Sequence, residues 1–225
     1  MTRDAVLRDL AQRIAAIAPA HPTRVAIDGV DAAGKTTLAD ELAPHIEALG
    51  RPVIRASIDG FHNPEAVRRR RGPLSPEGYY HDSFNQAALV TVLLEPLGPG
   101  GPRVYRRAVF DFRIDRPVDA PAEHAEPNAV LLLDGVFLLR PKLREYFDFS
   151  VFVHADFDVT VARAEVRDAT LFGSAEAVRR RYTARYVPGQ QMYLAEVHPE
   201  RIASVIIDNS DQAVPVLLLV NGERV

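Results

Sequence analysis

The sequence contains no cysteine. That excludes disulfides, thiolate metal sites and cysteine nucleophiles, and it suits a reducing compartment, so a cytoplasmic location is the expectation. Neither charge sign dominates: 27 Lys and Arg stand against 30 Asp and Glu, for a net charge of −3. Such a chain has no global basic field to draw nucleic acid or an acidic membrane surface, and neither is expected as a partner. No apolar run approaches membrane-spanning length, the N-terminal stretch lacks the apolar core of a signal peptide, and no segment repeats another. What is present is an ordinary globular balance, 47% hydrophobic and 25% charged, over 225 residues. That is enough for one substantial core, and a single domain over residues 1–225 is the expectation. Composition leaves the oligomeric state open, and a homo-oligomer is allowed.

Periodicity supplies the outline. Val6, Leu7, Leu10, Ile14 and Ile17 recur at helical spacing, predicting a helix over 4–17. RVAID (24–28) predicts a short strand ending at an acid and a glycine. Leu38, Leu42 and Ile46 return to helical period over 35–49, and PVIRASI (52–58) predicts a second strand. Residues 63–85 are broken by Pro64, Gly72, Pro73, Pro76 and Gly78 and read as irregular. A helix over 86–94, a strand over 104–112 and a surface loop over 115–128 follow. AVLLLD (129–134) is continuously apolar, as suits a strand buried on both faces of a parallel sheet. FSVFVHA (149–155) repeats that pattern ahead of a helix capped at Asp156. A further helix from about Ser174 should bend or break at Pro188, before strands at 203–208 and 214–220. Strands alternating with helices predict an α/β fold, a parallel β-sheet flanked by helices on both faces.

GVDAAGKTT (29–37) satisfies G-x-x-x-x-G-K-[ST], which makes Gly29, Val30, Asp31, Ala32, Ala33, Gly34, Lys35, Thr36 and Thr37 the candidate nucleotide-binding segment. Glycines let backbone N–H groups curl around phosphate oxygens while the following helix directs its positive end at the anion. Lys35 would neutralise the β- and γ-phosphates and the Thr36 hydroxyl would hold Mg²⁺, so ATP and Mg²⁺ are the expected cofactors. A glycine turn capping a helix is the plain alternative; the strand before and the amphipathic helix after favour the phosphate site. Asp134 ends the apolar run LLLDG (131–135) and is the candidate second metal ligand, the alternative being a polar strand terminus. No asparagine is followed by lysine, so the N-K-x-D signature of guanine-nucleotide switches is missing. Asp59, in SIDGFH (57–62), follows the second strand at the sheet edge where ligands sit. There a carboxylate could take a proton from an attacking hydroxyl; taken alone, Asp-Gly reads first as a turn.

In order along the chain stand GVDAAGKTT, the D-x-F-[HY] of Asp59–Gly60–Phe61–His62, FDF (110–112), LLLDG, and the R-x-x-x-R-D of Arg163, Arg167 and Asp168. This series resembles the uridine kinase group, which belongs with phosphoribulokinases and bacterial pantothenate kinases, and the resemblance runs from about Arg24 to Asn209. It implies a P-loop nucleoside triphosphate hydrolase/kinase fold with a helical lid. It also implies transfer of the ATP γ-phosphate to a hydroxyl on a small-molecule acceptor, most readily a pyrimidine nucleoside, with Asp59 as general base. The segment at about 156–175 would be the lid, its Arg163 and Arg167 four apart on one helical face and stabilising the transferring phosphoryl group. An exposed basic face is the alternative for those arginines. Residues 60–85 would be the acceptor-side loop.

The acceptor pocket departs from the pattern. Nucleoside members anchor the ribose with an aspartate in an F-D-H-P-like segment; in YYHDSFN (79–85) Tyr80 takes that place, with Asp82 nearby. They read the pyrimidine with a tyrosine and a histidine around Y-D-F-x-x-H, where this chain has Phe110 and Asp115. A phenyl ring can stack on a base but cannot donate a hydrogen bond. His62, Tyr80, His81, Phe110 and Arg113 are the candidate acceptor contacts, and neither histidine stands at metal-ligand spacing. The run Arg68 to Arg71 reads as solvated surface or as a clamp on an anionic acceptor. Arg179 to Arg181 read as solvated helix residues. Two further readings stay open: a kinase for an anionic small molecule (pantothenate, a sugar phosphate or a nucleoside monophosphate), and a nucleotide-binding regulator without chemistry. A nucleoside monophosphate kinase is weakened by the missing D-R-[YF] after the second strand.

Overall fold

A computed structural model describes residues 2–220. The chain runs through β1 (Thr23–Gly29) and β2 (Val53–Ser57) before four two-residue strands: β3 (Val104–Tyr105), β4 (Phe110–Asp111), β5 (Arg116–Pro117) and β6 (Glu123–His124). It then forms β7 (Val130–Gly135), β8 (Phe149–His154), β9 (Val205–Asp208) and β10 (Val216–Val220). The main sheet has the order β10-β9-β8-β1-β7-β2. All its pairings are parallel except β9 with β10.

Every residue of β1 and β7 is buried, because helices cover both faces. Alternation sends successive side chains to opposite cores. Val25 and Ile27 of β1 join Val130 and Leu132 of β7 beneath the helices Arg3–Ala16 and Lys35–Glu47. Ala26, Leu131 and Leu133 face the other way, onto Tyr79, Leu89, Leu93 and Tyr193. The first helix starts at Thr2, whose hydroxyl accepts from the Ala5 amide. Its last carbonyls are gathered by Arg51, which donates to Ile14, Ala15 and Ile17.

Several expectations give way. Residues 63–85 are not simply irregular: they contain the short helices Glu65–Arg68 and Pro76–Asp82. The second begins as a capped helix should, with Ser75 accepting from the Gly78 amide and Pro76 in the first turn. The strand expected over 104–112 is two short strands, β3 and β4, each folded back on its own partner outside the main sheet. The loop expected over 115–128 therefore carries the returning strands β5 and β6. Left-handed backbone at Arg103 and Asp115 marks the bends. The helix over 86–94 widens after Leu89 into a π turn, Val90–Leu94. Phe157–Arg167 begins after Asp156 as expected, but that side chain makes no cap hydrogen bond and lies 3.6 Å from His154. Pro188 breaks nothing: it sits in the first turn of Val187–Val197, entered from a π turn at Tyr182–Tyr186.

From β1 the chain leaves toward β2 on one side, and from β7 it crosses to β8 on the other. The C-terminal ends of β1 and β7 therefore border the crevice where an open parallel sheet takes its ligands. Among the described residues no helix is long and apolar enough to cross a membrane.

Candidate active site

Strand register brings three segments level at that crevice. Ile27 pairs with Asp134, and Ser57 pairs with Asp134 from the other side. The loop after β1, the acid ending β7 and the turn after β2 consequently emerge together.

The loop could not be built without its glycines. A Cβ on Gly29 would stand 2.3 Å from the Val153 carbonyl oxygen of β8. Gly34 is left-handed at φ +96°, and a Cβ there would meet the Asn209 side chain at 2.4 Å. Lys35 is buried and donates to the Val30 carbonyl at 2.6 Å, bridging the loop's own mouth. Burial pushes its ammonium pKa down, opposed by the charges of Asp31, Asp28, Asp134 and Asp59. The Thr36 hydroxyl donates to Asp134 at 2.7 Å. The second Asp134 oxygen accepts from Arg55 at 3.0 Å, and Arg55 also reaches Asp40 and the Leu132 carbonyl. A hydroxyl and a carboxylate are the hard oxygen donors that Mg²⁺ prefers, so this pair fits that ion. Among the described residues there is no group of three or more His, Cys, Asp or Glu that could hold a metal. An ion held by Thr36 and Asp134 would take the rest of its shell from water and nucleotide phosphates.

Asp31 and Asp28 tie the loop to the helix Val187–Val197. Asp31 accepts from Tyr79 at 2.6 Å and from Gln190 at 2.8 Å, while its own amide donates back to Gln190. Asp28, fully buried, accepts from the Tyr193 hydroxyl and the Leu138 amide, and burial pushes its carboxyl pKa up.

Asp59 lies in the single turn Ile58–Phe61, where Ser57 caps its amide. Its carboxylate opens into the cleft, 60% exposed. Withdrawal of hydration by the cleft walls pushes its pKa up; His62 and Lys35 pull against this, and the charges of Asp31 and Asp134 add to it. The His62 ring sits between Phe84 and Phe112, each 4.6 Å away, with Nδ1 3.0 Å from the Asp59 carbonyl oxygen. That acceptor assigns the proton to Nδ1. Burial pushes the His62 pKa down, with the Asp59 charge opposing.

Other expected residues land elsewhere. Tyr80 and Phe110 are buried. Tyr80 packs 5.1 Å from Phe137 with the Arg140 guanidinium 3.9 Å above its ring, and burial pushes its hydroxyl pKa up to about 12. His81 is exposed, its ring against Tyr80, and Arg113 is exposed above Phe112. Of the five expected acceptor contacts, His62 adjoins Asp59, its Nδ1 4.0 Å from the carboxylate. Arg69, Arg70 and Arg71 are exposed, as the solvated-surface reading expects, and each of Arg68 to Arg71 has a carboxylate partner rather than standing as a free clamp. Arg68 pairs with Asp115, Arg69 with Glu65, and Arg70 and Arg71 with buried Asp82. The lid arginines diverge. Arg163 donates through Nη2 to the Asn209 and Ser210 carbonyls, leaving Nη1 buried without a partner. Arg167 pairs with Asp168 and donates to the Tyr182 hydroxyl.

Sequence reasoning missed Arg55, Tyr79, Phe112, Gln190 and Tyr193. The one usable signal lay in Gln190 and Tyr193, polar groups three apart on a helix that needs an apolar face.

A family model described as the Phosphoribulokinase / Uridine kinase family matches residues 25–208. The uridine kinase of Ligilactobacillus salivarius is 24% identical over 207 residues, covering 90% of this chain and 93% of its own. The uridine kinase of Brevibacillus brevis is 27% identical over 195 residues, with coverage of 83% and 85%. A solved structure described as a possible uridine kinase from Bacillus stearothermophilus has the same fold, with a TM-score of 0.71 at 22% identity over 90% of this chain and 97% of that one. The family match embraces the phosphate loop, Asp59, Asp134 and the lid helix, and this P-loop kinase therefore belongs to the phosphoribulokinase / uridine kinase family.

Proposed function

We propose that this chain transfers the γ-phosphate of Mg-ATP to a hydroxyl of a small molecule, with Asp59 as general base. The observation carrying this reading is the gathering of Lys35, the Thr36–Asp134 pair and Asp59 at the level ends of β1, β7 and β2. Asp59 takes the acceptor's proton as its oxygen attacks the γ-phosphorus. The bond to the β,γ-bridging oxygen breaks, and ADP leaves with charge that Lys35 neutralises. Held by Thr36 and Asp134, Mg²⁺ would supply further neutralisation of the phosphates. A carboxyl whose pKa is raised is a stronger base than an ordinary aspartate, which suits proton abstraction.

A pyrimidine nucleoside is the first acceptor class to try, supported by the motif order and by the uridine kinases among the relatives. With Tyr80 and Phe110 in the core and Asp82 and Asp115 paired to arginines, such a nucleoside would have to be held by other groups. The test is acceptor-dependent ADP release with uridine and cytidine, together with calorimetric Mg-ATP binding. Asp59→Asn should slow transfer by about 10²–10⁴-fold and leave Mg-ATP affinity nearly unchanged. Parallel losses of affinity and turnover would make Asp59 a structural or metal residue instead.

A further inference from the structure

Arg55 of β2 pairs across the sheet with Leu132, two residues before Asp134, and Ser57 pairs with Asp134 itself. The two-residue strand period puts Arg55 and Asp134 on one face of the sheet. There the guanidinium is held at three points. Nη1 donates to the Leu132 carbonyl at 2.8 Å. Nη2 donates to Asp134 Oδ1 at 3.0 Å and to Asp40 Oδ1 at 2.9 Å, and Nε donates to the same Asp40 oxygen at 3.0 Å. Asp40 lies one turn past Thr36 on the helix Lys35–Glu47. A single side chain thus ties the backbone of β7, the acid that ends it and the helix that carries Thr36.

The two oxygens of Asp134 are thereby divided. Oδ1 lies against a fixed cation, and Oδ2 accepts from the Thr36 hydroxyl at 2.7 Å. The Asp134 side chain is 4% exposed, that of Arg55 22% and that of Asp40 63%, so the arrangement is buried at its metal-binding end and wet at the other. Each carboxylate oxygen has about two lone-pair sites, which leaves one on Oδ2 for an ion or its water. A planar guanidinium anchored on three acceptors cannot swing aside as an ammonium on a flexible stem can. Asp134 therefore offers one oxygen rather than a chelating pair. Mg²⁺ demands near-octahedral geometry and is served by single oxygens and water, whereas Ca²⁺ gathers about six to eight oxygens and accepts carboxylates through both.

We infer that Arg55, itself fixed by Asp40, is a positioning residue that holds Asp134 to a single available oxygen and so makes the nucleotide site select Mg²⁺ over Ca²⁺. This rests on the kinase reading above, in which Thr36 and Asp134 hold the ion, and names the residue that sets its selectivity. Charge alone does not give that result. A cation beside the site repels every dication alike, lowering affinity without choosing between them. The choice comes from the fork that occupies Oδ1 while Thr36 occupies Oδ2.

The test is calorimetric ADP binding with saturating Mg²⁺, with saturating Ca²⁺ and with EDTA. Wild type should bind ADP more tightly with Mg²⁺ than with Ca²⁺. Arg55→Gln should cut that preference about tenfold to a hundredfold, the scale on which groups that orient metal ligands act, with ADP affinity in EDTA little changed. Arg55→Lys keeps the charge and loses the fork, and should retain little of the preference. Asp40→Asn, at an exposed position, should shift the preference the same way by a smaller factor and add nothing in the Arg55→Gln background, as expected of a residue acting through Arg55. That variant carries the test if Arg55→Gln fails to fold. A wild type without the preference, an unchanged preference in either neutral variant, or one fully kept by Arg55→Lys overturns the inference and leaves Arg55 as a tie between β2 and β7. An Asp40→Asn effect that adds independently to that of Arg55→Gln overturns it as well. Wild-type ADP binding that is the same in Mg²⁺ and in EDTA would instead count against the kinase reading itself.

Discussion

Partial burial and, after it, the charges of Asp31 and Asp134 push the pKa of Asp59 up and favour its protonated form, with the side chain still 60% exposed. In the proposed role of base, Asp59 must be ionised to accept a proton. Activity is therefore present above the folded pKa and lost as pH falls through it, and that limb lies above the ordinary aspartate value of about 3.9. A pH profile of kcat/KM should show this limb in the wild type and lack it in the residual activity of Asp59→Asn. A wild-type profile level down to the ordinary aspartate range would remove Asp59 from the base role. Lys35 tests the other partner. It already lies across the loop's mouth, with its charge among four acids. Lys35→Ala should remove most phosphotransfer and weaken Mg-ATP binding, since no other lysine stands in the loop. Full activity in that variant would contradict the phosphate-site assignment.

At the scale of elements, Arg51 holds the first helix to the sheet. Beyond the three helix carbonyls it donates to Asn128, Ala129 and the Thr23 hydroxyl, closing the helix end against the starts of β1 and β7. Arg51→Ala would leave several of these buried groups unpaired, at about 1–3 kcal/mol each where water cannot enter. A net loss of about 2–5 kcal/mol is expected, read as a fall in melting temperature of roughly 5–15 °C with ATP affinity at low temperature preserved. A melting point unchanged from wild type would show that water replaces the guanidinium. Elements of this kind also separate what could be read in the chain from what could not. β1 and β7 were legible because burial on both faces imposes an unbroken apolar run, and the loop between β1 and the next helix was legible because only glycine fits at positions 29 and 34. Lys35, Thr36, Asp59 and Asp134 came with them, since strand ends fix where such residues emerge. Strands β3 to β6 are two residues long, shorter than any period can register. The helix Pro76–Asp82 was hidden by Pro76 and Gly78, although Ser75–Pro76 is itself a start signal. That helix turns Tyr80 inward and His81 outward, which positional matching alone could not anticipate. The carboxylates that neutralise Arg68 and Arg71 lie 47 and 11 residues away, beyond the reach of local pattern.

The whole molecule is unevenly consolidated. Two extensive apolar cores clamp the sheet, whereas the helices Phe157–Arg167 and Ala169–Phe172, which lie in the segment expected to be the lid, meet Ala175–Arg181 and Tyr182 around a small buried cluster of Ala164, Val178 and Tyr182. Val166 and Leu171 in this region point to solvent, at 85% and 68% exposure. Opening free energy follows buried apolar contact, so the lid should open well below the cost of global unfolding. Arg163 is one of its ties to the body, through the Asn209 and Ser210 carbonyls beside Gly34. A nucleotide in the loop would add another, since Arg163 Nη1 is unpartnered and Arg167 already feels the Asp31 charge. Hydrogen exchange reads this directly. Without nucleotide, amides over 157–181 should exchange much faster than those of β1 and β7; a non-hydrolysable Mg-ATP analogue should slow them selectively, and Lys35→Ala should abolish that slowing. Arg163→Ala should speed exchange even without nucleotide, because it removes a tie already formed, whereas Arg167→Ala should change only the nucleotide-dependent part. Lid amides as protected as β1 before nucleotide is added would mean a rigid cover, and the two arginines would then act on the phosphates without any closing motion.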